Sequence, residues 1–374
     1  MKAFTCHVCQ HLIFFENVQC LRCERALGYL PDVGVLSALE PAADGEWRPL
    51  APEAGARRYK MCLNYSRERV CNWLLASEDD ATLCLACRFN QTIPDLSVPE
   101  YRGLWQRLET AKRRLVYGLL ALGLPLVSKQ EDPERGLGFA FLAGPDPEFR
   151  ETNAAMTGHA QGLITLNIAE ADDAVRERTR QEMSEVYRTL LGHFRHESGH
   201  YYWERLLRAA EQIDSFRALF GDDQADYEQA LQNHYNNGPP ADWQTYFVSA
   251  YASAHPWEDW AETWAHYLHI VDTLETARNF SLRVVTPESA AGASIAMPGG
   301  VTAYRPHSIE AMVASWLPLT YAINSINRSM GQPDLYPFVL SPMAVEKLGF
   351  VHQVVSGAAK TASGTLPRRD ALTP

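Results

Sequence analysis

From Ala174 onward, apolar side chains recur at Met183, Val186, Tyr187, Leu190, Leu191 and Phe194, at intervals of three and four residues. That period puts them on one face and predicts a single long amphipathic helix that continues into the polar run after Phe194. A second helix is predicted from Pro256, whose fixed φ suits a first helical turn, with Trp257, Trp260, Ala261, Trp264 and Leu268 as its apolar face. Residues 308–355 read as two helices separated by the turn Gly331-Gln332-Pro333-Asp334, and the small, polar residues 358–374 as a disordered tail. Residues 163–168 form a short β-branched and apolar run bounded by glycine and polar residues, as a strand would be. The pattern is that of an α+β chain, mainly helical, with a small sheet.

The cysteines divide the chain. All eight lie between Cys6 and Cys87, as Cys6-x-x-Cys9, Cys20-x-x-Cys23, single residues at Cys62 and Cys71, and Cys84-x-x-Cys87. A C-x-x-C turn points two thiolates at one ion, and four thiolates complete the closed tetrahedral shell of a structural zinc. The simplest pairing gives one site to Cys6, Cys9, Cys20 and Cys23 and another to Cys62, Cys71, Cys84 and Cys87. Sequence leaves a crossed pairing open. Residues 1–94 are therefore expected to be a small β-rich double zinc-ribbon domain, structural or adaptor-like because a closed Cys₄ site leaves no position for water. Residues 37–60, rich in Pro, Ala and Gly, read as a loop or irregular hairpin, and 90–100 as a hinge leading to a second domain over 95–357.

Charge and composition narrow the partners. The formal net charge of -11 disfavours nucleic acid and anionic membrane, since both are repelled at long range. Residues 1–94, with 10 Lys and Arg against 11 Asp and Glu, lack the basic surface of a nucleic-acid-binding ribbon, so a protein partner is the expectation there. The first 20 residues lack a continuous apolar stretch and cleavage site, and the apolar run at 115–127 is short of the roughly 20 residues that cross a bilayer. A cytoplasmic location is expected.

The chemistry concentrates at His196-Glu197-Ser198-Gly199-His200, an H-E-x-x-H motif. Four residues apart on a helix, His196 and His200 project from the same side, as two ligands of one ion must, and Glu197 stands beside the ion to take a proton from water. A third ligand is needed. Continuations that place glycine three and histidine or aspartate six residues beyond the second histidine fail at Trp203 and Leu206. The remaining common source is a glutamate on a downstream helix, where Glu258 and Glu262 lie four apart. His193, three before His196, could reach the same face but is expected to be a hydrogen-bonding helix residue; His255, His266 and His269 are candidates to support a ligand from behind or to contact substrate, with a core or surface place the expectation for each.

The pair Glu258-x-x-Ala261-Glu262, with Tyr251 seven residues before Glu258, resembles the gluzincin metallopeptidases and their lethal-factor-like branch. Together with the cysteine-rich N-terminus, "GLITLNIAEAD" and "FRHESGHYYW", it also resembles bacterial zinc-binding metallopeptidases that carry a zinc ribbon. The resemblance implies a zincin-like fold, one catalytic zinc on His196, His200 and Glu258 with Glu262 as the alternative ligand, Glu262 supporting a ligand histidine from behind, and Tyr251 facing the developing oxyanion. It also implies that strand 163–168 offers an edge to an extended peptide substrate, and, from the long interval between His200 and Glu258, that a helical segment is inserted at about 214–235. Peptide-bond hydrolysis is the expected activity; a non-enzymatic scaffold using the same groove to bind peptides is the alternative.

Overall fold

In the computed structural model, residues 2–144, 158–182, 185–208, 212–285, 304 and 308–363 are described. The chain forms two compact units, one of residues 1–117 and 127–183, the other of 118–126 and 184–374.

The first unit opens with a hairpin, β1 (Phe4–Thr5) and β2 (Leu12–Ile13), that brackets the first C-x-x-C turn. Strands β3 (Leu27–Leu30), β4 (Val35–Pro41), β5 (Trp47–Pro49), β6 (Tyr59–Met61) and β7 (Leu74–Ala76) form an antiparallel sheet in chain order. The Pro-, Ala- and Gly-rich stretch expected to be loop or hairpin thus supplies β5 and parts of its neighbours. A short helix, α1 (Leu63–Ser66), follows Cys62. Phe15, Tyr29 and Trp73 meet Tyr117 of α2 (Pro99–Leu122) in an aromatic cluster with ring centroids 4.8–6.2 Å apart.

A second sheet has the order β10 (Gly158–Ala160), β11 (Leu163–Asn167), β9 (Gly138–Leu142), β8 (Asn90–Thr92). The expected strand at 163–168 is β11, but it is not an edge. β9 pairs with it in parallel on one side and β10 antiparallel on the other, joined through the two-residue turn Gln161-Gly162, both at positive φ. Positive φ at both central residues matches the twist of a tight hairpin, so β10 covers the edge expected for substrate. Part of the expected hinge is strand β8. Asn167 then turns the chain by accepting a hydrogen bond from the Ala169 amide, ahead of α3 (Asp173–Glu182).

The second unit is helical: α4 (Leu190–Leu206), α5 (Ile213–Phe220), α6 (Tyr227–Asn237), α7 (Trp243–Tyr246), α8 (Pro256–Asn279), α9 (Ile309–Ser329) and α10 (Pro342–Ser363). The single helix expected from Ala174 is instead two, α3 and α4. Thr189 is extended and its hydroxyl accepts from the Gly192 amide, so a cap interrupts a period that would otherwise run on. Met183 lies outside the described residues. The inserted segment is α5 and α6, and the last helix continues to Ser363, past the expected start of the tail at 358; residues 364–374 lie outside the described residues. No helix among the described residues is long and apolar enough to cross a membrane.

Helices α4 and α8 approach closely at Gly199. A Cβ on Gly199 would stand 2.9 Å from Ala261 Cα and 3.2 Å from the Trp264 side chain. Trp260 Nε1 donates to Gly199 O at 2.8 Å, and Trp264 Nε1 to Ser198 Oγ at 3.1 Å. On the far side of α8, buried Asp259 takes an ion pair from Lys347 of α10 at 2.6 Å. Removing one partner of such a pair leaves a buried charge without compensation.

Gly199→Ala weighs two effects. Alanine in a helix interior gains about 1 kcal/mol over glycine, but overpacking a rigid contact costs about 1–3 kcal/mol. Because the atom met is backbone, it cannot swing aside, and net destabilisation is expected in chemical denaturation; a stabilised variant would show that the two helices can separate freely.

Candidate metal centre

Helix α4 presents His196, Glu197 and His200, and α8, begun by Pro256 and capped by the His255 side chain, presents Glu258 and Glu262. The close approach at Gly199 brings the two sets together. One donor atom each from His196, His200 and Glu258 lie within 4.8 Å of one another, with His200 and Glu258 buried and His196 largely so. His196 Nε2 is 3.0 Å from Glu258 Oε2, and His200 Nε2 is 3.5 Å from Glu258 Oε1. Ligands about 2.05 Å from a tetrahedral zinc stand about 3.3 Å apart, so the separation of His196 Nε2 from Glu258 Oε2 suits one edge of such a shell.

Electrostatics favour a cation at this point. Burial opposes charge on His196, but hydrogen bonds and charge from Glu258 and Glu262 outweigh it and hold the imidazole protonated well above its usual range. Glu258 is correspondingly held well below the carboxylate range, burial being overcome by His200 and His196. Two carboxylates that stabilise a proton here suit a divalent ion, with the histidines then neutral. The donor set, two imidazoles and a carboxylate, is one that zinc uses in catalytic sites.

Glu262, the alternative ligand in the sequence, lies on the other side of the ring, 2.7 Å from His196 Nδ1. Its second oxygen accepts from Ser249 Oγ at 2.6 Å, and that hydroxyl in turn accepts from the Ala252 amide. Ser249 carried no sequence signal. A carboxylate behind a histidine fixes its tautomer and aims Nε2 forward.

Glu197 is buried, and its Oε1 faces His193 Nε2 at 3.2 Å. His193 is thus a partner of Glu197 rather than a member of the donor group. Burial would raise the Glu197 carboxyl, but the hydrogen bond and charge of His193, with His196 and His200, bring it down to about 2. Its Oε2 is buried without a hydrogen-bond partner among the described residues. An ionised oxygen in that condition is a base with nothing yet to accept from.

Tyr251 opens the turn Tyr251–Ser253, and its ring lies 5.9 Å from that of His196. Burial, then the charge of Glu258, keeps the phenol protonated, so it has a proton to donate. Tyr227 of α6 donates to Glu258 Oε1 at 2.6 Å. The inserted segment was legible, but its contact with the glutamate was not. His255 is a cap, with Nδ1 accepting from the Trp257 amide and Nε2 facing Ala225 O; His266 bonds Tyr336, and His269 lies against Arg195 and Tyr187. Burial lowers His266 to about 4 and His269 well below the usual range, which makes both neutral core residues.

The eight cysteines of the first unit gather in the simple pairing, Cys6, Cys9, Cys20 and Cys23 in one group and Cys62, Cys71, Cys84 and Cys87 in the other. Sγ atoms in contact are 3.6–3.7 Å apart. A disulfide needs about 2.05 Å, whereas thiolates about 2.3 Å from a tetrahedral zinc stand about 3.8 Å apart. Buried Arg113 of α2 supplies positive charge beside the second group. Burial opposes its charge, but Cys71, Glu109, Cys87 and Cys84 hold the guanidinium ionised.

Residues 3–98 match a zinc-ribbon domain family, and residues 101–354 match a family described as "putative zinc-binding metallo-peptidase". Relatives in Mycobacterium tuberculosis and Mycobacterium bovis, each described as an uncharacterized protein, are 42% identical over 362 residues, covering 96% of this chain and 96% of theirs. No solved structure matches the chain. With a metallopeptidase match over most of its length and a zinc-ribbon match before it, the chain belongs to the family described as putative zinc-binding metallo-peptidase, with an N-terminal zinc ribbon.

Proposed function

We propose that the protein hydrolyses peptide bonds at a single zinc of the gluzincin type, held by His196, His200 and Glu258, and that two further zinc ions stabilise the ribbon. The reading is carried by one observation: the three donors converge beside a buried, ionised Glu197 with a free oxygen. When bound, zinc supplies a Lewis acid that polarises the scissile carbonyl and makes water acidic enough to be activated near neutral pH.

The chain's own residues do the rest. Glu197 Oε2 takes the proton of the attacking water, while His193 holds Oε1 and so fixes the carboxylate plane. Glu262, tethered by Ser249, keeps the Nδ1 proton on His196 and its Nε2 toward the ion. Tyr251, kept protonated, donates to the oxyanion as it forms; one well-placed donor contributes about 3 kcal/mol. The substrate is a peptide or protein. The near-neutral charge balance of residues 1–94 supports a protein rather than a nucleic acid as partner of the ribbon, and an all-thiol set of cysteines supports a cytoplasmic setting.

Two experiments test this reading. Metal analysis of the full chain should find three zinc ions, and two after His196→Ala with His200→Ala; a wild-type content of two removes the catalytic site. Glu197→Gln should keep all three and lower cleavage of an unfolded protein such as casein by at least about 10²-fold. Undiminished turnover in that variant would sink the mechanism, and a chain that binds three zinc ions yet cuts no peptide would favour the scaffold.

A further inference from the structure

Helix α6 has no buried residue, yet Tyr227 and His234 on it reach residues of the metal centre. Tyr227 donates to Glu258 Oε1, and the His234 ring lies 5.9 Å from that of Tyr251. Ring contacts with His255 and Trp257, 5.2 and 5.6 Å between centroids, hold the Tyr227 ring in place. The segment is bounded by Gly221 and Gly238, both at positive φ, and fastened at its start where His255 Nε2 meets Ala225 O at 3.2 Å. A solvent-exposed helix is thus tied to a fully buried carboxylate by one hydroxyl.

A carboxylate can offer a metal ion one oxygen or two. Glu258 has Oε2 facing His196 Nε2 at 3.0 Å, while Oε1 is 3.5 Å from His200 Nε2 and 2.6 Å from the Tyr227 hydroxyl. We propose that Tyr227 is a positioning residue for the metal centre: by holding Glu258 Oε1, it commits the carboxylate to one-oxygen ligation through Oε2. His196, His200 and Glu258 Oε2 would then hold a zinc ion and leave it open to water. Without the hydroxyl, Oε1 would be released to join them. This inference rests on the zinc-peptidase reading of the site.

Tyr227→Phe removes the hydroxyl and keeps the ring. In the full-length protein, competition with a chromophoric chelator should show zinc bound more weakly at the histidine site by about 10–100-fold, the usual effect of losing a group that holds a ligand. With cobalt(II) placed at the same site, the visible bands should weaken as the coordination number rises, a change that loss of packing alone does not produce. Gln232→Ala, on the exposed face of the same helix, should leave both readouts as in wild type. Unchanged affinity and an unchanged cobalt spectrum in Tyr227→Phe overturn the role of Tyr227 while leaving the metal site standing. An equal loss in Gln232→Ala also overturns it, because the effect then belongs to the helix. A wild-type protein with no metal beyond its two Cys₄ sites fails earlier, at the zinc-peptidase reading itself.

Discussion

The chemistry of the second unit depends on how closely α4 can lie against α8. Gly199 sits inside the H-E-x-x-H motif at one of the positions the motif leaves unspecified, and its missing Cβ is what lets the helix backbone approach Ala261. Two tryptophans of α8 then bond to the same turn, one to the Gly199 carbonyl and one to Ser198. Backbone contact and indole hydrogen bonds together fix both separation and register. A carboxylate on α8 can meet imidazoles on α4 at 3.0–3.5 Å only if that separation is held.

Around this contact, charges are placed so that each buried ion has a partner. His196 lies between Glu258 and Glu262, Glu197 is paired with His193, and Asp259, next in the chain to Glu258, is neutralised by Lys347 from the opposite side. Adjacent acidic residues therefore have unlike tasks. Glu258 and Glu262 face α4, while Asp259 faces α10. Successive residues on a helix are rotated by about 100°, so one short acidic run can face both the candidate metal centre and a core ion pair.

Much of the site was legible because its signals are local. A spacing of four puts two side chains on one helix face, and a proline opening a tryptophan-rich period announces α8; the turn at Gly331-Gln332-Pro333-Asp334 separates α9 from α10. The C-x-x-C turns are equally local, and the thiols gather as the simplest pairing requires. What stayed hidden depends on contacts distant in sequence or on turn chemistry without a strong signature. The apolar period from Ala174 runs through the Thr189 cap because Tyr187, Leu190 and Phe194 are in phase whether or not the helix is continuous. β11 loses its edge to a hairpin turned by Gln161-Gly162, a pair weaker as a signal than Asn-Gly. Ser249 and Tyr227 act through single hydroxyls across 13 and 31 residues, and no periodicity reports such a bond.

The two kinds of donor cluster in this chain differ in a way that bears on their tasks. In the ribbon, each cluster gathers four thiols, those in contact 3.6–3.7 Å apart, enough to close the shell of a zinc ion, and Arg113 lies beside one cluster as a positive charge. Such a site is saturated and can hold a fold, but it cannot bind a reactant. In the helical unit, only three donors converge, and a carboxylate oxygen of Glu197, the residue next to His196, is buried without a hydrogen-bond partner among the described residues. Burying that oxygen unpaired costs stability, of the order of 1–3 kcal/mol or more for an ionised group. A fold tolerates such a cost at a site where the group receives its partner from outside, and the position beside an incomplete ligand shell is where an activated water would stand.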